Sequence, residues 1–470
     1  MINKKIIIGA VTALVVIIGA FLLFFLRDNE DPVVEEEPEV VIEEREVKLK
    51  IGTGYGVLSE NTASEEKEEV VVLEAFNKMM EELGEDPSFV VLTSTVGFDQ
   101  EKIIQEARKV LPEGVKIYGY TSLFGIMTKD GFKIGEGVEE GNVLSMMGFS
   151  GENLVVGVGG AELSEGDSPE QTAKIATERA IKDAGKEDSP KIAMMASAHF
   201  GAGEDLFIKG AESVLGEQVP IVGGGAAAGY GDLVSGGESL FVNDKAYEKG
   251  VVVAVIYTDT KIGHAFLGGF NPAGPKGEVT EVARDEKGIR IITIDDQPAA
   301  EVYNEWLGGE LDEFMGTSNM FLHKTLYHTL GIEVLESDGT KNWHMIITLH
   351  FNEDDSINIG TVIPEGTEIH LLESDPELFI ERLGLAVRLA RARGGVPQEE
   401  IAGVLVDQCG ASLLGIPEKE GWDQMIEKTM EASGGAPFIG NSNLGPYGNF
   451  FGVGNRYGEV TPSVLIFSKY

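Results

Sequence analysis

Cysteine is almost missing from this chain: Cys409 is the only one in 470 residues. An internal disulfide is therefore excluded, and so is a cysteine-rich metal site. Positive charge is scarce too. Lys and Arg number 37 against 78 Asp and Glu, a formal net charge of -41. A phosphate backbone needs Lys and Arg to displace its counterions, so nucleic acid is not an expected partner. No Gly-Lys-Ser/Thr follows the glycine-rich stretch at 223–232, and its spacing is not a dinucleotide fingerprint, which removes the common nucleotide loops. No Gly-x-Ser-x-Gly elbow occurs. What remains is a hydrophobic share of 43%, that of an ordinary folded protein.

The one long apolar run is residues 6–26, preceded by Lys4 and Lys5. As a helix it is about 31 Å long, enough to span a bilayer core. Its basic flank favours the cytoplasm, so the expectation is an uncleaved single-pass anchor, N-terminus inside and the remainder outside. The segment Phe21-Leu-Leu-Phe-Phe-Leu26 lacks the small residues of a signal-peptidase site. Residues 1–27 are thus read as an anchor and 28–46 as an acidic flexible linker, in which like charges repel and apolar content is low.

From residue 47 the pattern becomes globular. A strand ending in glycines (48–56), an amphipathic helix (65–83), a buried strand (89–95), a helix capped by Asp99 and a strand (115–120) follow in order. The order then repeats from residue 154, with Ile221 answering Ile117 and Gly223 answering Gly119 at the same offset. Ser168-Pro169-Glu170-Gln171 is a helix start with its cap in place. Two copies of strand–helix–strand–helix–strand predict a pseudo-twofold α/β body. In parallel sheets ligands sit beyond the carboxyl ends of strands. Those ends carry Ser122, Ser197, His199 and the run Gly223, Gly224, Gly225 to Asp232. This small and hydroxylic set suits a polar small molecule. His199 and Asp232 are expected to fix its orientation, and backbone N–H groups at 223–225 to meet an anionic group.

In the second half, residues 251–257 read as a buried strand and 261–270 as its antiparallel neighbour. A hairpin (278–284 with 288–294), a strand pair (343–351 with 356–363) and a helix opened by Ser374-Asp375-Pro376-Glu377 come next. A strand (401–409), a helix (422–430) and a closing strand (460–468) complete the chain. His344 and His350 share a strand face, a pattern read as packing, and no metal ligand set is assigned. Cys409 reads as a core residue, and the acidic runs at Asp295-Asp296 and 353–355 as solvated turns.

The order Gly223-Gly-Gly, 251–257, Gly269-Phe-Asn-Pro272, Val279-Thr-Glu-Val282 and Ile294-Asp-Asp-Gln-Pro-Ala-Ala-Glu-Val-Tyr303 resembles the N-terminal FIST domain. Asp407-Gln-Cys-Gly410, Ala436-Pro-Phe-Ile-Gly440 and Tyr457-Gly-Glu-Val460 resemble its C-terminal partner. Where relatives carry an Arg after the Cys segment, this chain has Ala411-Ser412. The resemblance implies an α/β chain. Its expected parts are a duplicated FIST-N-like domain (47–300) and a C-terminal FIST-C-like α+β domain (301–470). It also implies a sensory pair binding small ligands such as amino acids, with Asn271, Cys409 and Glu459 lining the wall opposite the glycine loops. No catalytic residue and no cofactor are assigned. Haem binding with gas sensing, and an unrecognised hydrolase, stand as the alternatives. No output module is present, so a separate signalling protein is the expected partner.

Overall fold

The computed structural model describes residues 45–58, 66–134, 142–198, 203–227, 237–285 and 288–470. Contacts divide the chain into Met1–Arg45 and a compact unit, Glu46–Tyr470, and the fold below is that of the second. The apolar run at 6–26 and the linker up to residue 44 lie outside the described residues, as do His199 and Asp232. Among the described residues no helix is long and apolar enough to cross a membrane.

The first copy of the repeat runs β1 (Lys50–Val57), α1 (Lys67–Leu83), β2 (Phe89–Thr95), α2 (Gln100–Val110), β3 (Lys116–Ser122), a hairpin β4 (Ile126–Thr128) and β5 (Gly131–Lys133), and β6 (Val143–Ser150). The second runs β7 (Val155–Glu162), α3 (Pro169–Ala184), β8 (Ile192–Ser197), α4 (Glu204–Leu215), β9 (Ile221–Gly225), hairpin β10 (Leu240–Val242) and β11 (Lys245–Tyr247), and β12 (Gly250–Tyr257). Asp99 and Ser168 cap α2 and α3 by accepting from the third residue on, as their sequence predicts. The offset read between the copies holds in the register. Gly119 lies beside Leu92, and Gly223 beside Met195, in parallel pairs.

A third copy follows, and it corrects the pseudo-twofold expectation. It opens with β13 (Ile262–Phe266). An inserted module comes next: β14 (Asn271–Asp285), β15 (Gly288–Ile294), β16 (Gln297–Pro298), α5 (Ala299–Trp306), α6 (Leu322–Thr325), β17 (His328–Leu335), β18 (Lys341–Ile346), β19 (Thr348–Phe351), β20 (Ile357–Ile359) and β21 (Thr367–Glu373). The repeat then resumes with α7 (Pro376–Gly394), β22 (Ile401–Cys409), a short α8 (Gly410–Leu414), α9 (Lys419–Ser433), β23 (Phe438–Asn443), hairpin β24 (Pro446–Phe450) and β25 (Gly454–Tyr457), and β26 (Ser463–Ser468). β13 pairs with β26 and not with β12, because it is the first strand of this copy and takes the partner β1 and β7 take in theirs. The cap of α7 is Asp375, which accepts from Leu378 N–H, while Ser374 donates to the Gly269 carbonyl.

Each copy builds a sheet whose edge is completed by another copy's hairpin. The orders are β1-β6-β2-β3-β10-β11, β7-β12-β8-β9-β24-β25 and β13-β26-β22-β23-β4-β5. The hairpin after β9 completes the first sheet, that after β23 the second, and that after β3 the third. This cyclic exchange covers one edge strand of each sheet. The inner faces share one core that includes Phe89, Tyr118, Met194, Val222, Leu405, Ile439 and Phe467. The helices cover the outer faces over three further cores.

The insert folds over a core of its own, including Val279, Tyr303, Phe321, Phe351 and Ile369. A buried ionic group ties it to the repeat. Arg393 of α7 donates to Glu336 at 2.6 Å and to Asp338 at 2.9 Å, and Glu336 also accepts from Phe451 N–H. Asp338 is held down to about 2 mainly by the Arg393 bond.

Candidate functional site

The carboxyl ends of β3, β9 and β23 meet around one axis. Thr121 Oγ1 donates to the Ala227 carbonyl at 2.8 Å. Gly225 N–H donates to the Gly445 carbonyl at 3.0 Å. Ser442 N–H donates to Ser122 Oγ at 2.9 Å, and Ser122 Oγ donates on to the Gly125 carbonyl at 2.7 Å. The N–H of Gly225 and the hydroxyl of Ser122 are thus committed to closing this junction. Ser197 is buried in a 2.6 Å hydrogen bond with the Tyr447 hydroxyl.

Above the junction lies a cavity of about 570 Å³, roofed by the insert. Its floor comes from the strand ends: Leu123 and Phe124, then Cys409 to Ala411 and Leu414, then Asn443 to Gly445. The roof brings Ile289, Met320, Leu322, Ile347, Leu349 and Asn358 to Gly360. Tyr457 and Glu459 close one side. Among the residues named from the sequence, Cys409 and Glu459 line this cavity. Ser122 and Gly223 to Gly225 lie in or beside the junction beneath it, and Ser197 is held by Tyr447. Asn271 is exposed at the start of β14 and does not line the cavity. Gly224 matters for the floor by leaving room, since a Cβ there would collide with the Asn443 amide.

The polar groups are unusually desolvated. Glu459 is 6% exposed, and one carboxylate oxygen accepts from Ile347 N–H at 2.7 Å. Burial lifts its pKa to about 8, opposed by that N–H and reinforced by Glu204 and Asp205 at the start of α4. Below the floor, Asp407 is buried and accepts from Asn443 Nδ2 at 3.5 Å. Burial pushes it up to about 7, against the hydrogen bonds of Asn441 and Asn443. Burial also raises the Cys409 thiol, partly offset by the N–H groups of Val460, Ala411 and Gly445. A thiol raised in this way is a poor nucleophile.

The backbone between Glu459 and β26 is strained. Val460 sits at φ 51°, a region that a β-branched residue rarely enters. It is held there by Arg382 Nη1, which donates to its carbonyl at 2.6 Å. Arg382 is fully buried, with its guanidinium 5.2 Å from the Phe270 ring centre and 4.5 Å from that of Phe379. Its Nε and Nη2 have no partner, and desolvation lowers its pKa to about 9. A charge held this way contributes mainly as packing volume. Arg382→Met, which keeps that volume, is expected to stay about 2 kcal/mol more stable than Arg382→Ala, which leaves a cavity. Paired melting curves check this, and equal losses would refute it.

Among the described residues no histidine lines the cavity. His344 bonds to the Tyr457 carbonyl at 2.8 Å, and His264 packs near Phe451. Burial lowers both to about 4. Among the described residues no group of three or more His, Cys, Asp and Glu is placed to hold a metal ion.

Family models match the chain as FIST N domain over residues 88–297 and FIST C domain over 299–449. The chain belongs to the FIST family. FIST domains are sensory domains that bind ligands in signal transduction, so a ligand cavity is an expected feature of this unit. No curated protein matches the chain. Among solved structures it is similar to a cyanuric acid hydrolase from A. caulinodans at 7% identity and a TM-score of 0.34, over 90% of this chain and 99% of that one. It is also similar to T. maritima PurL complexed with ATP at 11% identity and a TM-score of 0.19, over 89% and 71%. Likenesses this distant carry no argument about the FIST unit.

The cavity residues missed in the sequence include Leu123, Phe124, Ala411, Leu414, Asn443, Tyr457 and the roof from the insert. Asn443 had a signal. It stands three residues after Gly440, as Ser122 stands three after Gly119.

Proposed function

We propose that this FIST protein is a membrane-anchored extracytoplasmic sensor that captures a small metabolite in the cavity between strand ends and insert, and signals through a separate partner. The cavity carries the reading. It has about 570 Å³ of space, walls of Leu, Ile, Met and Phe, and a few convergent polar groups, Glu459 and Asn443 among them. Such a site selects a ligand with an apolar body and a polar end, as amino acids with apolar side chains and their close derivatives have. The apolar run at 6–26, behind Lys4 and Lys5, supports the anchor and its orientation.

Thermal melting of the full chain in detergent, screened against amino acids, amines and small acids, tests the ligand. At least one is expected to raise the melting temperature, and filling the cavity with Ala411→Trp is expected to abolish that shift. No shift from any compound would overturn the reading. Protease added outside intact cells tests the topology: the globular unit is expected to be digested, and full protection would refute the orientation.

A further inference from the structure

The cavity is polar where it is buried and apolar where it opens. Among its described lining residues the polar side chains are Asn358, Cys409, Asn443, Tyr457 and Glu459, and all five are buried. The lining residues that reach water carry no polar side chain. Met320 is 56% exposed and Leu414 45%, while Phe124, Leu322, Leu349 and Ala411 are half-buried. Met320 belongs to the insert and Leu414 to α8, so the mouth is apolar on roof and floor alike.

Water at a mouth favours polar side chains there, and a single exposed apolar residue is ordinary. These residues are not single. Phe124, Leu322, Leu349 and Ala411 pack against the same core as Ile347, which lies within the cavity. The apolar wall therefore continues from the buried end to the rim. A ligand that stopped inside would leave the rim wet. A hydrocarbon chain running out over it would take that surface from water, a gain proportional to the apolar area covered.

The buried end suits a polar head. One Glu459 oxygen accepts from Ile347 N–H, and a Cβ at Gly360 would collide with the other. With its pKa lifted to about 8, this carboxyl group is protonated at pH 7 and both donates and accepts. An uncharged primary amide does both as well, which makes it the matching probe head.

We propose that the FIST cavity takes a single-chain amphiphile head first, with the polar group at the buried end beside Glu459 and the hydrocarbon chain leaving between Met320 and Leu414. This rests on the small-metabolite reading above and specifies the shape of that metabolite. The chain lies along Ile347 and Leu349 of the roof and Leu123 and Phe124 of the floor, and its far end meets water.

The test is calorimetric titration of the full chain in lipid nanodiscs, with empty nanodiscs as the blank. Single-chain detergents are left out because they are amphiphiles themselves. The probes are straight-chain amides from pentanamide to decanamide. Affinity is expected to rise about three- to fourfold per methylene along the whole series. Met320→Ser combined with Leu414→Ser, both at exposed positions, is expected to weaken decanamide at least fivefold and to leave hexanamide within twofold. Orientation is read from two hydroxylated probes. The terminal hydroxyl of 10-hydroxydecanamide lies in water, so this amide is expected to bind within threefold of decanamide. The hydroxyl of 6-hydroxydecanamide is buried without a partner and is expected to lose at least tenfold. The amphiphile assignment is overturned if no amide binds, if affinity levels off at hexanamide, if the rim pair leaves decanamide unchanged, or if the terminal hydroxyl costs as much as the central one. The metabolite reading then stands if any compound of the amino acid, amine and small acid screen still raises the melting temperature, and it falls too if none does.

Discussion

Between about pH 4.5 and 6.5 the protein is expected to keep a flat stability, and by pH 8 to lose about 3 kcal/mol of it. The loss comes from two acids. Asp407 rises from 3.8 to about 7 on folding and Glu459 from 4.5 to about 8, both mainly through burial. A carboxyl group raised on folding stabilises fully below its unfolded value. That contribution disappears as the pH climbs through the folded value. Two histidines have the opposite sign. His264 and His344 fall from 6.5 to about 4, so their contribution is present above 6.5 and is lost on acidification. Between 4.5 and 6.5 the unfolded chain binds two more protons at the histidines and two fewer at the acids, and the slopes cancel. Above 6.5 only the acids act, Asp407 for half a pH unit more and Glu459 for one and a half. Each unit is worth about 1.4 kcal/mol. Melting temperatures of the full chain from pH 4.5 to 8.5 check the shape. Asp407→Asn combined with Glu459→Gln is expected to flatten the upper limb. A stability that still climbs from pH 6.5 to 8 would show that these acids are ionised in the folded protein.

Much of this architecture is legible in the sequence, and most of what is not traces to the insert that splits the third copy. The first two copies are contiguous, so the offset between Gly119 and Gly223 stands out. The third has the same marks. Ile262-Gly263 answers Ile51-Gly52 and Val156-Gly157, and Gly395 ends its first helix in the left-handed conformation, as Gly84 and Gly185 do. Residues 271–373 separate the two marks, so no window of ordinary length contains both. Without that copy, β13 has no partner in sight except the neighbouring strand β12. The cavity inherits the same difficulty. Cys409 and Glu459 are found by resemblance, but the floor residue Asn443 belongs to the hidden copy. Roof residues such as Met320 and Ile347 lie in the insert, where burial against a remote strand end leaves no local periodicity. The cyclic exchange of hairpins is equally silent, since three-residue strands such as β4 and β10 carry no more pattern than a turn does.

The hidden copy makes the third-copy glycine as indispensable as its counterparts. Gly52, Gly157 and Gly263 each face the first helix of their own repeat. A Cβ at Gly157 would collide with the Ala180 carbonyl, one at Gly263 with the Ala390 carbonyl, and one at Gly52 with the Met79 carbonyl. The obstacle is helix backbone in every case, so no rotamer change relieves it; helix and strand must part. Each Gly→Ala substitution is expected to cost about 3 kcal/mol, the upper end of the overpacking range. Gly148 is the control. A Cβ there meets mainly the Met79 thioether at 2.7 Å, the flexible end of a side chain, so Gly148→Ala is expected to cost under about 1.5 kcal/mol. The three sites face different helices and share no obstructing residue, so their effects are expected to add. Together they amount to about 9 kcal/mol, within the range of a whole domain's stability, and the triple variant is expected not to fold. Melting curves of the single variants decide the matter. If Gly263→Ala behaved like Gly148→Ala while Gly52→Ala and Gly157→Ala collapsed, the third copy would not pack as the other two do, and the threefold description of the FIST unit would have to be given up.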